Sequence, residues 1–128
     1  MLNTKLKHIA LEYQDKKNAD IFFIDILGLK NIKNFSVSAD LSYDIFGIKK
    51  ELEAFVYGNE SVNFEIFITD KTNNTKSYYH VCIGVDDKKE FIRKCEKNNL
   101  KPFFVKKGDR KILFVKDFSN NLYEIKDN

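Results

Sequence analysis

Tyr78-Tyr79-His80-Val81-Cys82-Ile83-Gly84-Val85 decides how this chain is read, because His80-Val81-Cys82-Ile83 repeats the earlier His8-Ile9-Ala10-Leu11. Each is a histidine followed by a short run of apolar or small residues, the pattern of a strand opening a unit. A second echo lies at the far end of each unit, where Phe64-Glu65-Ile66 is matched by Tyr123-Glu124-Ile125. His8 and Glu65 are 57 residues apart (from 8 to 65), and His80 and Glu124 are 44 apart (from 80 to 124). The 13 extra residues fit an enlarged connection around Ala39 to Lys50.

Working outward, each half predicts strand, helix, strand, strand, strand. In the first half, Lys5 to Tyr13 alternates as a strand and Asp15 caps a helix carrying Ala19, Phe22, Phe23, Ile26 and Leu27. Gly28 stops that helix, and strands follow at Phe35–Ser38, Leu52–Tyr57 and Val62–Thr69. Asp70 to Lys76 (DKTNNTK) holds no apolar residue and reads as the connection between the halves. The second half runs as a strand over Tyr78–Val85 and a helix begun by Asp86 or Asp87, with Phe91, Ile92, Cys95 and Leu100 near one face. Strands at Phe103–Val105, Ile112–Val115 and Leu122–Ile125 complete it. The expected organisation is α+β: one domain over 1–128 built from modules 1–70 and 77–128, joined by a linker at 71–76.

Composition supports a packed core, with 43% hydrophobic residues, twelve Phe and six Tyr, and 32% charged residues for the surface. A net charge of +3, spread along the chain, is too weak to argue for nucleic acid as a partner. No apolar run approaches the roughly 20 residues of a membrane helix, and no signal-peptide core follows the N-terminal residues. These readings predict a soluble, cytoplasmic protein. Cys82 and Cys95 form no disulfide framework. Both are expected as buried small hydrophobes, with a thiol nucleophile at Cys82 as the alternative.

The chain has only two histidines, and they fall at matching points of the repeat. One His and one Glu from each half, His8, Glu65, His80 and Glu124, are therefore the candidate ligands of a single divalent metal ion. Neutral imidazole and carboxylate suit Zn²⁺, Ni²⁺, Co²⁺, Mn²⁺ or Fe²⁺, with positions left open for water or two neighbouring substrate oxygens. Phe64, Ile66, Tyr123 and Ile125 should enter the core, leaving the two carboxylates on the other face.

With these residues in place, the chain resembles the vicinal oxygen chelate superfamily, the glyoxalase/bleomycin-resistance/dioxygenase fold. The resemblance rests on His8–Leu11, Phe22–Leu29 (FFIDILGL), Phe64–Ile66, Tyr79–Ile83 and Asp117–Ile125 (DFSNNLYEI), and it spans essentially the whole length. It implies two tandem βαβββ modules forming a cupped mixed sheet, and a homodimer whose sites are built from both chains. The His, Glu, His, Glu set is most similar to glyoxalase I. That implies a metal-dependent lyase or isomerase working on a small hemithioacetal or related carbonyl substrate through a metal-bound enediolate. In that reading Glu124 is ligand and proton-transferring base, and Glu65 is the symmetry-related catalytic carboxylate. Where glyoxalase I carries an Arg four residues after its first His, this chain has Glu12, so the resemblance does not extend to the glutathione site. Two alternatives stand beside the lyase: a small-molecule or drug-binding resistance module, and a metal-dependent fosfomycin-type transferase.

Two other features carry weaker readings. Lys106, Lys107, Arg110 and Lys111 surround the Gly108-Asp109 turn, first as a solvated hairpin tip, second as a cradle for a carboxylate, phosphate or coenzyme A tail. Tyr43, Phe46 and Tyr57 are expected in the core, with a pocket lining as the alternative.

Overall fold

The computed structural model describes residues 2–128; Met1, where the first module opens, lies outside them. Strand β1 (Ile9–Tyr13) leads to a helical stretch in which α1 (Lys16–Asp20) continues as a π-helical segment over Ile21–Ile26. Strand β2 (Lys30–Val37), helix α2 (Ala39–Phe46), and strands β3 (Leu52–Gly58) and β4 (Asn63–Ile68) complete the first half. The second half is β5 (Val81–Val85), α3 (Lys88–Lys97), β6 (Phe103–Lys107), β7 (Arg110–Lys116) and β8 (Leu122–Asp127).

The expected caps close the helices. The Asp15 carboxylate accepts from the Asn18 amide at 2.7 Å, and Asp87 accepts from Glu90 at 3.1 Å, each satisfying an amide the helix leaves unpaired. Gly28 takes φ +74°, a left-handed conformation that ends the first helical stretch with little steric cost. The enlarged connection around Ala39 to Lys50 holds α2, capped by Ser38, whose side chain accepts from Leu41, and stopped by Gly47 at φ +74°.

Each half builds its own four-stranded mixed sheet, β1-β4-β3-β2 and β5-β8-β7-β6. In both, the first and last strands pair in parallel while the remaining pairs are antiparallel. The expected cup is thus split into two sheets, and these share one core. Phe22 packs its ring 4.9 Å from Tyr123 of the other half, and Phe64 faces Tyr123 at 6.4 Å. Phe91, Cys95, Leu113, Val115 and Ile125 meet Phe22, Phe23 and Ile66 in the same cluster. Each large side chain removed from water here contributes about 1.5–3 kcal/mol.

Three expectations about burial change. Tyr57 is in the core, its hydroxyl donating to Asp20 at 2.6 Å, but Tyr43 and Phe46 lie exposed on α2. Cys95 is buried and Cys82 is exposed. The reason lies in strand alternation: on β5 the exposed positions are Cys82 and Gly84, and the half-buried ones are Val81, Ile83 and Val85.

The turn between β7 and β8 ties the halves together. Buried Asp117 accepts hydrogen bonds from the Ser119 and Asn121 amides and from the Tyr123 hydroxyl. The Asn121 side-chain amide donates to the Glu12 carbonyl at 3.1 Å, and Ser119 Oγ accepts from the Gln14 amide at 3.2 Å. Burial pushes the Asp117 carboxyl above its ordinary range, opposed by these donors.

Candidate functional site

Both histidines stand one residue before the first strand of their half, so β1 and β5 begin later than the sequence suggests. On β1, Ala10 is the register partner of Glu65; on β5, Cys82 is the partner of Glu124. Alternation along an extended chain then sets His8 on the face of Glu65 and His80 on the face of Glu124. The outcome is two similar pairs. His8 Nε2 lies 3.4 Å from Glu65 Oε2, and His80 Nε2 lies 3.5 Å from Glu124 Oε1. The glutamate side chains are mostly shielded, at 19% and 18% exposure, and the imidazoles are nearly half open.

Those separations suit a metal better than a direct bond. An N–H···O hydrogen bond spans about 2.7–3.2 Å. Two ligands bound at about 2.1 Å on a tetrahedral ion are about 3.4 Å apart. The donor chemistry and the spacing of each pair therefore fit two adjacent ligands of one divalent ion. His80 is also oriented as a ligand, since its Nδ1 lies 2.9 Å from the Tyr78 carbonyl. A carbonyl only accepts, so Nδ1 carries the proton, and Nε2, the nitrogen facing Glu124, keeps a free lone pair in the neutral ring.

The chain brings the four residues together as two pairs and not as one group. Among the described residues, no three His, Cys, Asp or Glu side chains gather closely enough to hold a metal ion. The shared core explains this. Phe64 and Tyr123 point into it and meet there, so the neighbouring Glu65 and Glu124 point away from it, on the outer face of each sheet.

The two outer faces differ. Around the first pair, Phe46 of α2 packs edge-on to Phe67 at 5.8 Å, and Phe67 shares the strand face of Glu65. Around the second, Phe114 is the register partner of Glu124, sits 6.4 Å from His80 and stacks on Phe103 at 5.8 Å. Lys126 Nζ stands 3.8 Å from Glu124 Oε2. A cavity of about 380 Å³ runs from Glu124 and Lys126 to Lys107, Arg110 and Lys111. Lys126 is a neighbour of the pair that the sequence reading misses, and Cys82, read there as a buried hydrophobe or a thiol nucleophile, is another neighbour, exposed beside Glu124. The position of Lys126 two residues after Glu124 along β8 is the signal that would find it.

No protein-family model matches the sequence, and no curated protein matches it. The architecture does have solved counterparts. A mutant of the fosfomycin resistance protein FosX from Listeria monocytogenes, complexed with Mn(II) and 1S,2S-dihydroxypropylphosphonic acid, superposes with a TM-score of 0.73 at 15% identity. That match covers 98% of this chain and 90% of the other. FosX from Mesorhizobium loti gives 0.71 at 12% identity, covering 99% and 94%. A glyoxalase family protein from Enterococcus faecalis gives 0.72 at 16% identity, covering 98% of each chain. Two tandem strand-helix-strand modules, each closed by a parallel pairing of first and last strand, define the vicinal oxygen chelate fold, and this chain has it. No helix among the described residues is long and apolar enough to cross a membrane.

Proposed function

We propose that the chain is a metal-dependent enzyme whose site is completed by a second copy of itself. His8 and Glu65 of one copy would meet His80 and Glu124 of the other around one divalent ion, giving two sites per homodimer. One observation carries this reading: two matched His/Glu pairs, each at the spacing of adjacent metal ligands, on faces that cannot meet within one chain.

When bound, the ion supplies Lewis acidity to substrate oxygens. The chain's own residues do the rest. Glu124 has one oxygen against His80 and the other 3.8 Å from Lys126; that second oxygen, turned away from His80, would take a proton from the carbon beside a carbonyl. Glu124 would then return that proton to the neighbouring atom, with Glu65 the symmetry-related carboxylate on the opposite side. The aromatic floor of Phe114 and Phe103 excludes water from one flank. This is the chemistry of a glyoxalase-like lyase or isomerase on a hemithioacetal or related carbonyl compound.

A second reading, addition of water or a thiol to an epoxide phosphonate, is favoured by the likeness of fold to the FosX proteins, one of them complexed with Mn(II) and a dihydroxypropylphosphonic acid. Purified protein loaded with Mn²⁺, Ni²⁺, Co²⁺, Zn²⁺ or Fe²⁺ should retain about one ion per chain. It should then turn over a hemithioacetal of methylglyoxal with one of several thiols; loss of fosfomycin instead would select the second reading. Metal content that is unchanged in His80→Ala would refute both.

A further inference from the structure

The β6–β7 hairpin sets like charges directly across from one another. Lys106 is the register partner of Lys111, and Lys107 is the partner of Arg110. Facing like charges destabilise a strand pair. Among the described residues none of the four is in an ion pair, nor is Asp109 in the turn between them. Some other basic residues are paired, as Lys88 with Asp127 at 3.6 Å and Lys126 with Glu124 at 3.8 Å. A solvated tip would tolerate this cluster, but the tip is not isolated. The cavity of about 380 Å³ that includes Glu124 is also lined by Lys107, Arg110 and Lys111, with the paired Lys88 and Asp127.

Between Glu124 and those cations the sheet face carries apolar side chains on β6 and β7, with Lys126 of β8 beside them. Phe114 stands opposite Glu124, and Ile112 and Arg110 follow it at alternate positions of β7 on the same face. Val105, the register partner of Ile112, is 44% exposed beside it. Four residues of strand separate Arg110 from Phe114, about 13 Å at about 3.3 Å per residue. The face thus runs from metal-ligand pair, through an apolar floor, to a cationic end.

We infer that the ligand of the His80–Glu124 half-site is an extended molecule with an oxyanion at its far terminus. Its metal-binding oxygens sit at Glu124, a hydrocarbon segment crosses Phe114, Ile112 and Val105, and its terminal carboxylate or phosphate rests on Lys107 and Arg110. The inference rests on reading His80 and Glu124 as metal ligands. It also separates this protein from a FosX-like specificity, since a propylphosphonate is too short to span the interval.

Three hydroxamates test it by isothermal titration of the Mn²⁺-loaded protein. Acetohydroxamic acid reports the metal site alone, octanohydroxamic acid adds the hydrocarbon, and octanedioic acid monohydroxamate adds the terminal carboxylate. The monohydroxamate of the diacid should bind about five- to tenfold tighter than octanohydroxamic acid. That advantage should vanish in the double variant Lys107→Gln/Arg110→Gln and shrink at high salt, while acetohydroxamic acid binds both proteins alike. Equal affinities of the two long probes for the wild type, or an advantage kept by the double variant, would overturn the inference. Failure of acetohydroxamic acid to bind at all would instead bring down the metal reading, and this inference with it.

Discussion

Two crippled chains should repair each other. Consider one variant, His8→Ala/Glu65→Ala, that lacks the first pair, and another, His80→Ala/Glu124→Ala, that lacks the second. If each site takes one pair from each copy, every site in either homodimer keeps only two of four ligands. A four-ligand site of N and O/S donors contributes about 12 kcal/mol, or about 3 per ligand, so losing two costs about 6 kcal/mol and about 10⁴ in affinity. The mixed dimer behaves differently. One of its sites receives both damaged pairs and is lost, while the other receives both intact pairs and is whole. Co-expression with two affinity tags isolates that heterodimer, which should hold about half the wild-type metal by elemental analysis, against essentially none in either parent. Random exchange of the two homodimers should give about a quarter. The mutated side chains lie on outer faces with no part in the shared core, so folding should survive, which circular dichroism will verify. A heterodimer as empty as its parents would show that the pairs do not meet across copies. Metal retained by either parent would show that two residues suffice.

Three further outcomes follow from the core and the turn. Asp117→Ala orphans the Ser119 and Asn121 amides and the Tyr123 hydroxyl, and should lower unfolding free energy by about 3–5 kcal/mol in urea melts; a loss under about 1 kcal/mol would contradict its role as the clamp between halves. Cys82 is exposed and Cys95 is buried, its thiol pushed up to about 12 by burial. A disulfide reagent should therefore titrate one thiol in the native protein and a second only on unfolding. The raised Cys95 pKa also has a pH consequence. The unfolded thiol ionises near pH ~8.5 and the folded one near about 12, so above ~8.5 the unfolded state loses its proton first and stability falls as pH rises. Burial raises the Tyr13, Tyr57 and Tyr123 phenols too, steepening the fall above ~10. Cys95→Ala should flatten the segment between ~8.5 and ~10; an unchanged slope there would contradict the assignment.

Much of this architecture is readable in the chain because its signals are local. Alternation in Phe64-Glu65-Ile66 and Tyr123-Glu124-Ile125 states which side chains share a face, and Asp15, Asp87 and Gly28 mark helix ends by their own hydrogen bonds and φ angles. Helix α2 carries similar marks, Ser38 before it and Gly47 after it, but its apolar residues lie exposed and so offer no core periodicity to notice. What no local pattern contains is the placement of one sheet against the other. Phe64 and Tyr123 are each expected in a core, and each is in one. That the two cores are one, forcing Glu65 and Glu124 apart, depends on contacts such as Phe22 with Tyr123, between residues 101 positions apart (from 22 to 123). The paired cations of the hairpin are a similar case: the cluster is visible in the sequence, its opening onto Glu124 only in the fold.

The parallel ladder that closes each module has a consequence for how such a protein can change over time. His8 and Glu65 are brought together by β1 lying beside β4, and His80 and Glu124 by β5 lying beside β8, so neither pair depends on the length of what runs between. The first interval is 57 residues and the second 44, yet the N···O separations differ by only 0.1 Å (3.4 against 3.5 Å). Closing the longer loop costs about 0.2 kcal/mol more in chain entropy. Insertions between β2 and β3 are therefore almost free, and whatever they bring, as α2 brings Phe46 to Phe67, arrives beside a His8–Glu65 pair held by the ladder alone. The scaffold can acquire a new wall beside that pair without moving it.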